Sequence, residues 1–228
     1  MKKAAILIYG MYREFANVRD KWCNIEEFYD CDYYMSTWDK SSQKYQDSDE
    51  YKEFDVTPNM ITDYLPNCVF EILNQKEIFP IEPDSTQNYL FYHWKNLYRL
   101  MEESNKKYDM VFLIRTDAPI TINTNDTKWL KNWVDNHSDV LYAHSHMIVY
   151  QVNPFMFHSS DEFQAGSPEI MSKLIKTMPD MTDINIKLRS HIDLATHIIS
   201  VGLCPSANIP FSARFHRPYK SKKNKTLI

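Results

Sequence analysis

The chain has only three glycines, Gly10, Gly166 and Gly202. That scarcity excludes a Walker loop and a GxGxxG fingerprint, which need clustered glycines where the backbone meets phosphate. It also makes each glycine a candidate for a backbone position that a side chain would not fit. The four cysteines, Cys23, Cys31, Cys68 and Cys204, contain no CxxC pair and no metal-ligand spacing. Free thiols in a reducing compartment account for them. No stretch approaches the roughly 18 consecutive apolar residues that span a bilayer. The run Ala4 to Ile8 after Met1-Lys2-Lys3 is too short for a signal-peptide core. A cytoplasmic protein is expected. No internal repeat, low-complexity segment or Pro/Gly/Ser linker is visible.

What is present is ordinary for a globular protein: 228 residues, 43% hydrophobic and 25% charged, with aromatics somewhat rich at 14%. One core of that length suits a single α/β domain, expected over residues 1–215. The net charge of −4 gives no global attraction for nucleic acid. The basic tail, residues 216–228, is the exception. It contains Arg217, Lys220, Lys222, Lys223 and Lys225, and is either simply solvated or engages an anionic partner.

Lys3 to Tyr9 reads as a buried strand ended by Gly10. Phe15, Val18, Trp22, Ile25 and Phe28 then follow at helical spacing over residues 13–29. Asp32 to Trp38 is a second strand, residues 39–55 a polar surface excursion, and Thr57-Pro58 the start of a short helix reaching about residue 65. Cys68 to Leu73 is a third strand. A long helix runs from Ser85 or Thr86 to Lys107 and feeds a strand ending at Arg115. Beyond a polar turn at Thr121 to Asn125 and a short helix through Trp129, Leu130 and Trp133, Val140 to His146 reads as a strand. Met147 to Phe157 reads as an extended segment. Ser167-Pro168 starts a helix to about Lys176; another covers about Ile186 to Val201, and Ala207 to Tyr219 is extended.

The chain is organised around Tyr108 to Ile120, where Arg115-Thr116-Asp117 follows an apolar run and Pro119 forbids simple continuation of a central strand. In open α/β sheets, ligands bind at the carboxyl ends of the strands. Arg115 and Asp117 are either a structural ion pair or a site in which the carboxylate holds a divalent cation and the arginine faces phosphate. Gly10 and Arg13, after the first strand, are placed to let a ligand approach and to reach phosphate.

Other polar residues carry alternatives. Asp161 or Glu162 is a general base, or a helix cap or lysine partner. Within Tyr92-His93-Trp94-Lys95, either the aromatics are core with a snorkelling lysine, or Trp94 and Lys95 grip a ligand. His191 and Asp193, two apart on a helix, face different directions, whereas Asp193 and His197 can pair. His144 and His146 share a strand face without a third metal ligand.

The order of these segments resembles the GT-A-type glycosyltransferase-like proteins of bacterial polysaccharide and lipopolysaccharide clusters and of phages and large viruses. The likeness is carried by Ala5 to Arg13, Ser36-Thr37-Trp38-Asp39, Arg115-Thr116-Asp117, and Ser160 to Ser167 with Met171. It implies a GT-A-like (Rossmann-like) α/β domain with a mainly parallel twisted sheet flanked by helices. The reaction implied is transfer of a sugar from a nucleoside-diphosphate sugar to a hydroxyl acceptor. That acceptor is a glycan, a lipid-linked glycan or, if the chain is viral, a modified nucleic-acid base. The alternative is a non-catalytic nucleotide- or glycan-binding relative. A nucleotidyltransferase would want a glycine- and lysine-rich first loop, which is missing.

By the resemblance, Tyr9, Gly10, Arg13, Trp38, Lys95 and Arg217 hold the donor, with His216 beside Arg217; Tyr9 is equally readable as a core residue. Asp117 binds a metal or a sugar hydroxyl, Arg115 stabilises the departing diphosphate, and Asp161 is the base. Such enzymes carry Asp-x-Asp, whereas here Arg115 takes the first position. A Mn or Mg cofactor is therefore an open question, since one carboxylate holds the ion more weakly than two.

Overall fold

A computed structural model describes residues 1–213 apart from 14, 45–50, 84, 86, 138, 148–156, 184 and 187–189. The elements in order are β1 (Lys2–Tyr9), α1 (Phe15–Arg19), β2 (Tyr29–Trp38), β3 (Lys40–Lys44), β4 (Tyr51–Asp55), α2 (Pro58–Thr62), β5 (Val69–Leu73), α3 (Gln75–Ile78) and α4 (Gln87–Glu103). They continue with β6 (Met110–Arg115), β7 (Ile120–Ile122), α5 (Thr127–Asn136), β8 (Tyr142–Met147), β9 (Phe157–Gly166), α6 (Pro168–Lys176), α7 (Ser190–Ser200) and β10 (Phe211–Ala213). The chain is thus a mixed α/β protein with a six-stranded sheet in the order β5-β2-β1-β6-β9-β8. The first four strands are parallel, and β9 is antiparallel to both β6 and β8. The sheet is therefore mainly parallel, as expected.

Strand β1 shows why the sheet is central. Ala4, Ile6 and Ile8 enter one core cluster and Ala5, Leu7 and Tyr9 the other, all without solvent exposure. A strand that is apolar on both faces must be covered on both. One layer contains α1, α2 and α5; the other contains α4, α6 and α7. Among the described residues, no helix is long and apolar enough to cross a membrane.

Several local expectations are corrected. The helix predicted over residues 13–29 is a short α1 followed by a 3₁₀ turn at Ile25–Glu27, and β2 begins at Tyr29 rather than Asp32. The polar excursion contains an antiparallel hairpin of β3 and β4. The turn at Thr121 to Asn125 overlaps β7, which pairs with β10. The acidic stretch before α6, given no element from the sequence, is β9, paired with β6 through Ile114 to Phe163 and Val111 to Gly166. The predicted start of α6 agrees, with Ser167 accepting the Ile170 N–H at its amino end. The tail and Arg214 to Tyr219 lie outside the described residues.

Candidate functional site

Parallel strands β1, β2 and β6 end side by side, with Tyr9 in register with both Ser36 and Arg115. The turns beyond them are stitched together. Gly10 donates its N–H to the Ser36 carbonyl at 3.2 Å, Thr116 donates its N–H to the Tyr9 carbonyl at 3.0 Å, and the Thr116 hydroxyl donates to the Met11 carbonyl. Gly10 has φ of +109°, a conformation that side-chain-bearing residues rarely adopt. The chain can turn sharply there and open a cleft.

That cleft, about 430 Å³, is lined by Gly10, Met11, Arg13, Trp38, Gln75, Glu82, Gln87, Tyr89, Leu90, Arg115, Thr116 and Asp117. It thereby brings together five residues selected from the sequence: Gly10, Arg13, Trp38, Arg115 and Asp117. Its arginines and carboxylates are equal in number, and the amino end of α4 opens onto it, adding positive potential.

The floor is an ion-pair cluster. Arg115 Nε and Nη2 donate to Asp117 Oδ1 and Oδ2 at 2.9 and 3.0 Å, a two-pronged pairing, and Nη1 donates to Asp161 Oδ2 at 3.3 Å. The three side chains are 16%, 12% and 3% exposed in the order Arg115, Asp117, Asp161. Burial pulls the Arg115 pKa down, but the charges of Asp117 and Asp161 outweigh it and hold the guanidinium above its usual range. Below lies Tyr9, fully buried, its ring edge-on to Trp94 at 5.5 Å. Burial, reinforced by the Asp161 charge, raises its hydroxyl well above the usual tyrosine range, so it stays protonated.

One wall is aromatic. Trp38 is nearly parallel to Tyr92, edge-on to Phe79 and Tyr89, and 4.2 Å from the His93 ring. His93 is itself fully buried, with Nδ1 2.7 Å from Ser36 Oγ, which also accepts from Asn96 Nδ2 at 3.0 Å. Desolvation pushes its pKa down to about 3, so the imidazole is neutral. The opposite lip carries Arg13. Its backbone N–H is fixed by Ser41 Oγ at 2.9 Å, while its exposed guanidinium touches the Met11 sulfur at 3.1 Å.

Three expected placements change. Lys95 does not line the cleft: its ammonium donates to the Met178 and Pro179 carbonyls at 3.2 and 3.3 Å. Tyr9 is core, because its position in β1 points it to the α4 side with Ala5 and Leu7. Asp161 sits on β9, nearly free of solvent exposure, with its Oδ2 accepting from Arg115. His197 Nε2 lies 2.8 Å from the Leu174 carbonyl. Arg217 and His216 lie outside the described residues, as do the side chains of His144, His146 and His191.

Gln75, Glu82, Gln87 and Tyr89 were not selected from the sequence. The signal for Gln87 and Tyr89 was available, since the helix that feeds β6 must begin near the strand ends. Gln75 opens the short α3 and Glu82 lies in the connection before α4, and only the assembled fold brings them in.

The donor set does not fit a divalent cation. Among the described residues, no group of three His, Cys, Asp or Glu side chains converges on a metal position. Both carboxylates nearest the expected ion already face the Arg115 guanidinium, and a second cation there would be repelled by the first.

No family model matches this chain, and no curated protein matches it in sequence. Among solved structures, it is similar to the galactosyltransferase LgtC in complex with donor and acceptor sugar analogues. The identity is 8% and the TM-score 0.49, over 89% of this chain and 73% of that one. At that level the similarity carries no argument about what the cleft binds.

Proposed function

We propose that this chain is a glycosyltransferase that moves a sugar from a nucleoside diphosphate to a hydroxyl acceptor such as a glycan. The observation that carries the proposal is the composition of one cleft at the carboxyl edge of the sheet. Aromatic Trp38 and Tyr89, exposed Arg13, and the Arg115–Asp117 pair all line the same 430 Å³ space. An aromatic wall suits a flat base, a guanidinium suits a diphosphate, and a fixed carboxylate suits sugar hydroxyls.

Each residue has a role in this reading. Gly10 lets backbone approach the ligand, and Arg13 grips the phosphates from the lip. Asp117, oriented by Arg115, accepts sugar hydroxyls on lone pairs that the guanidinium leaves open. Arg115 places fixed positive charge beside the diphosphate as it departs. Asp161 is a positioning residue that holds Arg115, and the acceptor hydroxyl gives its proton to the departing diphosphate as the new glycosidic bond forms.

The sealing of Asp161 also favours a second reading, a nucleotide- or glycan-binding protein without turnover. Thermal shift against UDP-, GDP-, CMP- and dTDP-sugars, followed by donor hydrolysis, separates the two. A native-state ligand at about a hundred times its dissociation constant stabilises by about 2.7 kcal/mol, which is readily seen. A shift with hydrolysis supports the transferase, a shift without hydrolysis supports the binder, and no shift with any donor refutes both.

A further inference from the structure

We infer that Arg115 is the site's resident cation, and that the cleft binds a nucleoside diphosphate without a divalent metal ion. The inference rests on the donor-site reading above and specifies how that site manages charge. The geometry is that of a filled site. Asp117 gives both oxygens to one edge of the guanidinium, and Asp161, from a strand 46 residues further along the chain, meets the remaining nitrogen. These are the two carboxylates an ion on the cleft floor would need, and a covalently attached monovalent cation lies between them.

Neither carboxylate can easily be diverted. Asp161 is buried within β9 and cannot swing out to a hydrated ion. Turning Asp117 toward an ion would strip Arg115 of its two-pronged partner in a largely buried setting. Glu82 is on the cleft lining but belongs to the connection before α4. Hard divalent ions such as Mn²⁺ and Mg²⁺ need several oxygen ligands, and both floor carboxylates already face the guanidinium. Arg13 on the lip is then the cation with which an incoming diphosphate pairs directly.

The placement also has a converse. Removing the guanidinium leaves two carboxylates facing a vacated centre, which is where a divalent ion would settle. Wild type and Arg115→Ala therefore differ in opposite senses toward metal and toward fold.

The test uses Mn²⁺ alone and then UDP, GDP, CDP and dTDP. Mn²⁺ titration followed by electron paramagnetic resonance should show no ion held by the wild-type protein through Asp117, and a bound ion in folded Arg115→Ala. Calorimetric titration should give a nucleotide dissociation constant that agrees within about twofold between EDTA and Mn²⁺. A wild-type Mn²⁺ signal lost in Asp117→Asn overturns the inference. So does tightening of nucleotide binding by roughly tenfold or more on adding Mn²⁺. A folded Arg115→Ala that ignores Mn²⁺ overturns the claim that the guanidinium is what keeps ions out. If that variant does not fold, the wild-type measurements still decide the matter. If no nucleotide binds in either condition, the donor reading fails instead, and the Mn²⁺ signal alone judges the resident cation.

Discussion

Acidification should destabilise this protein well above the range in which carboxylates titrate, and His93 is the reason. Its ring is wholly buried against Trp38, and its pKa falls from an ordinary 6.5 to about 3 through desolvation. Between those values the unfolded chain takes up a proton at this histidine while the folded chain does not. Stability therefore rises with pH across the window, and it is lost as pH falls below 6.5. At about pH 5 the unfolded state gains about 1.5 units of protonation free energy. At 1.36 kcal/mol per unit, this is about 2 kcal/mol lost relative to pH 7.5. For a chain of this size that corresponds to a fall in Tm of about 4 to 8 °C. Urea unfolding at the two pH values measures it. The control is His93→Asn, whose carbonyl can replace Nδ1 as the partner of Ser36 while carrying no titrating group. That variant costs stability at both pH values by cavity formation, but its loss between them should be smaller by the amount assigned to His93. His137, also shifted down by burial, contributes in the same direction and is unchanged in the control. An equal pH-dependent loss in wild type and variant would refute the assignment.

The cleft gives three further expectations. Asp117→Asn removes one charge from Arg115 while keeping an acceptor and the Asp161 contact, so stability should fall by about 1 to 3 kcal/mol. Sugar transfer or donor hydrolysis should drop by roughly a hundredfold or more; unchanged activity would mean that the cleft is misassigned, and loss of the fold would make the pair structural. Arg13→Ala should leave stability within about 0.5 kcal/mol, because the guanidinium is exposed. Diphosphate affinity, read by calorimetry, should weaken by roughly tenfold or more, and an unchanged affinity would remove Arg13 from the phosphate site. Asp161→Asn should cost about 2 to 3 kcal/mol in chemical denaturation, since it removes charge from a buried partner. Turnover by the folded fraction should stay within about tenfold of wild type, and a much larger loss with stability intact would restore Asp161 as the base.

What was legible in the chain was whatever one element decides alone. The apolar run of β1 and the Ser167-Pro168 start of α6 each contain the physics of their own structure, so both emerged as expected. The cleft's arginines and Asp117 were legible for a related reason: residues at the end of an apolar parallel strand have few places to go except the ligand edge. The hairpin of β3 and β4 lacked such a signature, because a polar two-stranded ribbon shows no alternation of apolar residues. In β9, Asp161 and every residue from Phe163 to Gly166 are buried, and a strand that is buried on both faces and carries an acidic pair and a glutamine shows no apolar alternation to read. Its partner β6 lies about fifty residues away in sequence, and that pairing brings Asp161 against Arg115. Lys95 reads from the sequence either as a snorkelling lysine or as a ligand contact, and its ammonium meets the Met178 and Pro179 carbonyls after α6, partners that its own helix does not reveal. Spacing along the chain thus selected the residues that face the cleft, while contacts between distant strands determine which of them can touch a ligand. For Asp161 that distinction separates a base from a brace, and the comparison of Asp161→Asn with Asp117→Asn measures it directly.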